Sequence, residues 1–130
     1  MKSIRQTETF NAPAAEVYSA FIDEKKHAAF TGASAKINAS VGGSFEVWDG
    51  YASGKNLELT PDKKIVQSWR ASDWPEGVES KITLELSEEG GKTRLHFSQT
   101  GIPDEFADDV EQGWTDFYWQ PLKEYLSKNL

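Results

Sequence analysis

The chain has 130 residues, no cysteine and a formal charge of −7, from 21 Asp and Glu against 14 Lys and Arg. A chain of this length buries about two-thirds of its unfolded surface as one domain spanning residues 1–130, and without cysteine it has neither a disulfide nor a thiolate metal site. The acidic balance, with no Lys/Arg stripe, argues against nucleic acid and anionic membrane as partners. No apolar run is long enough to span a bilayer and the N-terminus lacks a signal-type apolar region, so a cytoplasmic location is expected.

Ile4 to Phe10 is strand-compatible. Asn11-Ala12-Pro13 then reads as a helix start, a capping residue followed by a proline tolerated in the first turn. Val17, Ala20 and Phe21 give Ala14 to Ile22 an apolar stripe, and Asp23 is placed to cap a second short helix ending near Phe30. Two helices this short must lie against a sheet to be stable.

From Ala33 onward the punctuation is that of antiparallel strands. Gly42-Gly43 precedes one strand, and Asp49-Gly50 is a tight-hairpin signal. Thr60-Pro61-Asp62, Trp74-Pro75-Glu76-Gly77 and Glu89-Gly90-Gly91 supply three further turns. Between them one face collects Phe45 and Val47, Leu57 and Leu59, Ile65 and Trp69, then Ile82, Leu84, Leu86, Leu95 and Phe97. The other face is polar. That alternation belongs to an antiparallel sheet with one wet side.

After Gly101-Ile102-Pro103, an aromatic-rich stripe (Phe106, Val110, Trp114, Phe117, Tyr118, Leu122, Tyr125, Leu126) follows the 3.6-residue period of a long amphipathic helix. A continuous helix from Asp104 to Asn129 would be about 39 Å long, against about 27 Å for an eight-residue strand. It can therefore run the length of a concave sheet. Pro121 offers no N–H to the Phe117 carbonyl and crowds it, which predicts a bend. The acidic run from Asp104 to Glu111 complements the positive end of the helix dipole. The expected class is α+β: a bent antiparallel sheet wrapped around a long C-terminal helix, with two short helices near the N-terminus.

Catalytic chemistry is thinly provided. His27 and His96 are the two histidines, and both read as solvated surface residues with no metal-ligand spacing. No serine sits in a nucleophile elbow and no glycine pair opens a phosphate loop. The sequence thus nominates no catalytic residue, no metal and no cofactor. The candidate pocket wall is Phe45, Trp69, Ile82, Leu84, Phe97, Trp114 and Tyr118, residues that fit a packed core as well. Gln67 and Gln99, with Ser53 and Ser80, share those inward faces, and buried polar groups need partners. Trp119 points away from the helix stripe, Trp48 alternates to the outer face of its strand, and Trp74 lies in a loop. These three are the candidate partner surface, since exposed tryptophans concentrate at interfaces.

An ordered set of residues then becomes familiar. Phe30-Thr31, Gly42-Gly43 with Phe45, Asp49-Gly50, Ser53-Gly54, Trp69-Arg70, Trp74-Pro75-Glu76-Gly77, Ile82-Thr83-Leu84, Gly101-Ile102-Pro103, Gly113-Trp114 and Tyr118 run through almost the whole chain. Together they resemble the C-terminal domain of activators of the heat-shock protein 90 ATPase, within the START and birch-pollen-allergen-like helix-grip superfamily (SRPBCC). The resemblance implies a helix-grip fold, a co-chaperone-like role and an aromatic at the position of Trp119. In the eukaryotic activator a separate N-terminal domain docks on the chaperone; none is expected here, because Met1 leads directly into the first strand. Two readings follow. One is a monomeric, non-catalytic domain that touches a heat-shock protein 90-type chaperone through its exposed tryptophans. The other is a carrier or sensor of an apolar small molecule, which requires a cavity of at least about 300 Å³. An enzyme would need a pocket with a strongly perturbed titratable group.

Overall fold

The structure is a computed structural model that describes residues 1–128. Strand β1 (Lys2–Phe10) is followed by helices α1 (Ala14–Ile22) and α2 (Glu24–Thr31). Six strands come next: β2 (Ala35–Ile37), β3 (Ser44–Val47), β4 (Ala52–Thr60), β5 (Lys64–Ala71), β6 (Ser80–Glu89) and β7 (Lys92–Ile102). They form one seven-stranded antiparallel sheet in the order β1-β7-β6-β5-β4-β3-β2. The chain then passes through a 3₁₀ turn (Asp104–Phe106) into helix α3 (Ala107–Trp114), a π-helical segment (Thr115–Trp119) and helix α4 (Gln120–Lys128). This is the expected α+β helix-grip arrangement, with the terminal helix buried against the inner face of the sheet. Asn129, the expected last residue of that helix, lies outside the described residues.

The two short helices are held as their sequence requires, with one difference. Asp23 Oδ1 accepts from the backbone N–H groups of Lys25 at 2.9 Å and Lys26 at 3.0 Å, so it caps α2 as predicted. At α1 the cap residue is Pro13, which has no side-chain acceptor. The Ala14 N–H instead donates to Glu88 Oε1 of β6 at 2.7 Å. A tertiary contact therefore does what Asn11 was expected to do.

The inner face of the sheet follows the predicted alternation on β3, β5, β6 and β7, where Phe45, Val47, Ile65, Trp69, Ile82, Leu84, Leu86, Leu95 and Phe97 are buried. Strand β4 departs from it. A register shift between Asn56 and Glu58 breaks the alternation. Asn56 takes the inward position with no exposure, while Leu57 is half exposed. Just upstream, Gly54 allows β4 to press on its neighbours. A Cβ there would lie 1.8 Å from the Ser68 carbonyl oxygen and 2.9 Å from the Phe45 ring.

The terminal helix holds the largest difference from its sequence pattern. Between Thr115 and Trp119 it widens to i→i+5 closure, and the Gln120 N–H bonds to the Thr115 carbonyl. Pro121 follows at once. It cannot donate to the Phe117 carbonyl, and the wide turn relieves the crowding that its ring would cause in a regular helix. The expected interruption is thus a local widening. Its effect is to bring Trp114 and Trp119, five residues apart, onto one face, where their rings stack at 5.4 Å and 21°. Trp119 is fully buried and Phe117 is 56% exposed, the reverse of the 3.6-residue reading.

Candidate functional site

The inward polar groups are the first test of an interior site, and they satisfy one another. Trp114 Nε1–H donates to Gln99 Oε1 at 2.8 Å, Gln99 Nε2–H to Ser80 Oγ at 2.9 Å, and the Ser80 hydroxyl to the Trp69 carbonyl at 2.7 Å. On the neighbouring strands Gln67 Nε2–H donates to Asn56 Oδ1 at 2.8 Å. Asn56 Nδ2–H in turn reaches the carbonyls of Asn38 at 2.8 Å and Ser40 at 3.1 Å. Gln67, Gln99 and Ser80 thus stitch the sheet to the helix and to the β2–β3 loop instead of facing a ligand. Between α2, β3, β5 and Tyr118 the void is only about 10 Å³, room for one water molecule at most. Ile82, Leu84, Phe97 and Gln99 are buried outright. Gln67 borders only that void, and Phe45 borders it and a shallow outer cleft of about 680 Å³ beside β2, β3 and β4. The space beneath the middle of the helix is a filled core.

His27, expected at the surface, is buried in this core. Its Nδ1 lies 3.0 Å from the Phe21 carbonyl and its Nε2 3.2 Å from the Tyr118 hydroxyl. A carbonyl can only accept, so Nδ1 carries the proton and Nε2 accepts from Tyr118. Burial lowers His27 from 6.5 to about 4, with the Phe21 carbonyl partly opposing. Burial likewise holds the Tyr118 hydroxyl well above its ordinary value, while a hydrogen bond from Trp48 acts the other way. The rings of Phe21, Phe30 and Tyr118 pack around His27 at centroid distances of 5.1–5.4 Å. This perturbed group has a structural setting. His96, by contrast, is exposed as expected.

Open space lies instead at one end of the grip. A cleft of about 490 Å³ separates the β3–β4 turn and the end of β5 from the start of the terminal helix. Trp69, Trp114 and Tyr118 form its floor, the three pocket candidates that the structure brings together there. Phe106, Val110 and Gly113 form the helical wall, and Trp48, Tyr51 and Phe117 stand around it with the carboxylates of Asp73 and Asp109.

The placement of Trp48 corrects its expected outward orientation. Strand β3 ends at Val47, and Trp48 has φ of 57°, so the two-residue alternation of a strand no longer applies. Its indole turns onto the helix, 5.7 Å from both Phe117 and Tyr118. Trp74 and Trp119 are corrected as well, since neither forms an exposed surface. Trp74 is covered by Trp69 at 5.5 Å and Phe106 at 6.3 Å, and its buried indole N–H has no acceptor among the described residues. Trp119 is placed inside by the wide turn, with Nε1–H donating to Gln6 Oε1 at 2.6 Å.

Tyr51, Asp73, Phe106, Asp109, Val110, Gly113 and Phe117 border the cleft without having been nominated for it. One signal for two of them was available. The β4–β5 pairing puts Ala52 opposite Ala71, and the Ser72 N–H bonds to the Tyr51 carbonyl at 2.7 Å. The turn after β3 and the loop after β5 must therefore share one end of the sheet. Burial raises the Tyr51 hydroxyl above its ordinary value, and the negative charges of Asp73 and Asp109 add to this. Both carboxylates thus act on the same mouth of the cleft. Among the described residues no three His, Asp or Glu side chains converge as a metal site, and no helix is long and apolar enough to cross a membrane.

Comparison with known proteins gives this geometry a family. Residues 11–127 match the family model described as "Activator of Hsp90 ATPase homolog 1-like protein". The human activator of 90 kDa heat shock protein ATPase homolog 1 is 38% identical over 117 residues, covering 90% of this chain and 35% of that protein. The Hsp90 co-chaperone AHA1 of Saccharomyces cerevisiae is 30% identical over 127 residues, covering 93% of this chain and 36% of its own. The chain thus spans about a third of the length of these curated relatives. A crystal structure of an HSP90 activator from Plasmodium falciparum superposes with a TM-score of 0.91 at 26% identity, covering 98% of this chain and 97% of that one. Matched along nearly its whole length, the chain belongs to the Activator of Hsp90 ATPase homolog 1-like protein family.

Proposed function

We propose that this chain is a co-chaperone-like binding module that contacts a heat-shock protein 90-type chaperone through the mouth of the cleft. The observation that carries the reading is Phe117. A ring that the helix period would bury is turned out by the π-helical segment and left 56% exposed, beside Tyr51 at 45%. Exposed aromatic residues around a concavity with a polar rim are typical of protein-contact surfaces. The names of the relatives supply the class of partner. The chain's own part is recognition: Trp48, Tyr51 and Phe117 offer apolar area, and Asp73 and Asp109 set the charge around it. Titrating an Hsp90-type chaperone from the same organism into ¹⁵N-labelled protein tests this. Shifts confined to the Trp48–Tyr51 turn, Asp73 and the Phe106–Tyr118 face support it. No shift at high micromolar chaperone, or shifts on the opposite face of the sheet, would overturn it.

A second reading is favoured by the cavity itself. About 490 Å³ lies within the range of small-molecule sites, and its lining is chiefly aromatic with few polar groups. On this reading the cleft carries or senses a small, largely apolar molecule. Saturation-transfer NMR with a library of small aromatic compounds would find binders that shift the Trp69 and Trp114 indoles, and a library with none would remove it.

A further inference from the structure

The two carboxylates at the cleft give its occupant a sign. Asp73 and Asp109 both border the aromatic cavity, and neither has a salt-bridge partner among the described residues. Arg70, the nearby base on β5, is committed elsewhere, with Nη2–H donating to the Trp74 carbonyl at 2.9 Å and Nη1–H to the Pro75 carbonyl at 3.5 Å. Among the described residues no lysine or arginine borders the cleft. A carboxylate or phosphate ligand would meet two like charges with nothing to offset them. A wholly neutral ligand would gain nothing from the charge of either carboxylate. A bare metal ion is poorly served, since two carboxylates among aromatic rings fall short of the oxygen shell that Mg²⁺ or Ca²⁺ requires.

Aromatic faces do suit one kind of charge. The ring quadrupole attracts a cation held within about 6 Å of the centroid, more strongly when water is excluded. The rings of Trp48, Tyr51, Trp69, Phe106 and Phe117 approach this space from three parts of the chain. Resting on the small-molecule reading above, we propose that the cleft binds a small organic cation, an ammonium or amidinium group on an apolar body. The body lies on the Trp69, Trp114 and Tyr118 floor, and the charged head sits among the outer rings, beside Asp73 and Asp109. Tyr51, which borders the same mouth and donates its hydroxyl to Asp73, marks where the head belongs.

Three probes with one body and different charge test this: phenylbutylamine, phenylbutanol and phenylbutyrate. They are titrated separately into the ¹⁵N-labelled chain while the indole N–H signals of Trp48, Trp69 and Trp114 are followed. The amine should bind about tenfold more tightly than the alcohol, as cation–π contact and two partly exposed carboxylates together allow. The carboxylate should bind most weakly. Asp73 and Asp109 are exposed, so the double variant D73N/D109N keeps the fold. In it the preference for the amine should shrink to about threefold, because the rings remain. Added salt should weaken the amine and spare the alcohol, a check independent of any variant. Equal or tighter binding of the alcohol would overturn the cation proposal while leaving a ligand cleft in place. If none of the three probes moves these indoles, the small-molecule reading fails with it.

Discussion

His27 gives the fold a pH dependence that can be worked out in advance. Its imidazole titrates near 6.5 when exposed in the unfolded chain and near 4 in the fold, where burial opposes its charge. Well above pH 6.5 it is neutral in both states and costs nothing. As pH falls, the unfolded chain takes up a proton that the folded chain refuses, so stability is lost until pH reaches about 4. The two values differ by about two and a half decades of proton concentration, each worth about 1.4 kcal/mol. Lowering the pH from about 7.5 to about 4.5 should therefore remove about 2–3 kcal/mol through this one residue.

The assay is urea unfolding of the native chain and of His27→Gln at both pH values. Asp49 and Asp104 have carboxyls held low, by Ser34 and by the N-terminal amine respectively, and they also lose stability on acidification. They are present in both proteins and cancel. The variant keeps a donor for the Phe21 carbonyl but has nothing to titrate. The stability advantage of the native chain should narrow by about 2–3 kcal/mol between the two pH values. An advantage that stays constant, or an imidazole that titrates near 6.5 in the folded protein by NMR, would refute the reasoning.

Other substitutions probe the same architecture. Gln99→Leu keeps the volume but orphans the buried Trp114 indole N–H, and denaturant unfolding should show a loss of about 1–3 kcal/mol. Trp119→Ala should cost about 3–5 kcal/mol, whereas Phe117→Ser should stay within about 1 kcal/mol. A regular helix would give the opposite order, so thermal unfolding of this pair checks the wide turn directly. Gly54→Ala places a methyl 1.8 Å from the Ser68 carbonyl oxygen. The clashing atom is backbone and cannot swing aside as the end of a flexible side chain would, so a loss of at least about 2 kcal/mol is expected by chemical denaturation.

Much of the fold was legible because its signals are local. The half-polar alternation of β5, β6 and β7 and the turn glycines mark antiparallel strands, and the Asp23 cap begins α2 where the sequence places it. The inward polar residues Gln67, Ser80 and Gln99 were recognisable as buried, but their use was not. Whether an amide faces a ligand or a neighbouring strand depends on register, and here register gives each a protein partner. The site was obscured by two departures from regular geometry. The π-helical segment exchanges Phe117 and Trp119, and the positive φ of Trp48 turns that ring onto the helix. Neither follows from a fixed period. His27 was misread for a related reason: α2 has a weak apolar stripe, and its burial comes from Phe21 and Tyr118 on other elements.

The central claim is that the mouth of the cleft is the surface this domain uses to recognise a chaperone. Isothermal titration of an Hsp90-type chaperone with the native chain and with Phe117→Ser tests it most directly. Phe117 is exposed and the substitution should leave the fold intact. The account predicts that the native chain binds and that the variant binds at least about tenfold more weakly, the scale of an aromatic hot spot. Equal affinities, or a native chain that does not bind, would contradict it.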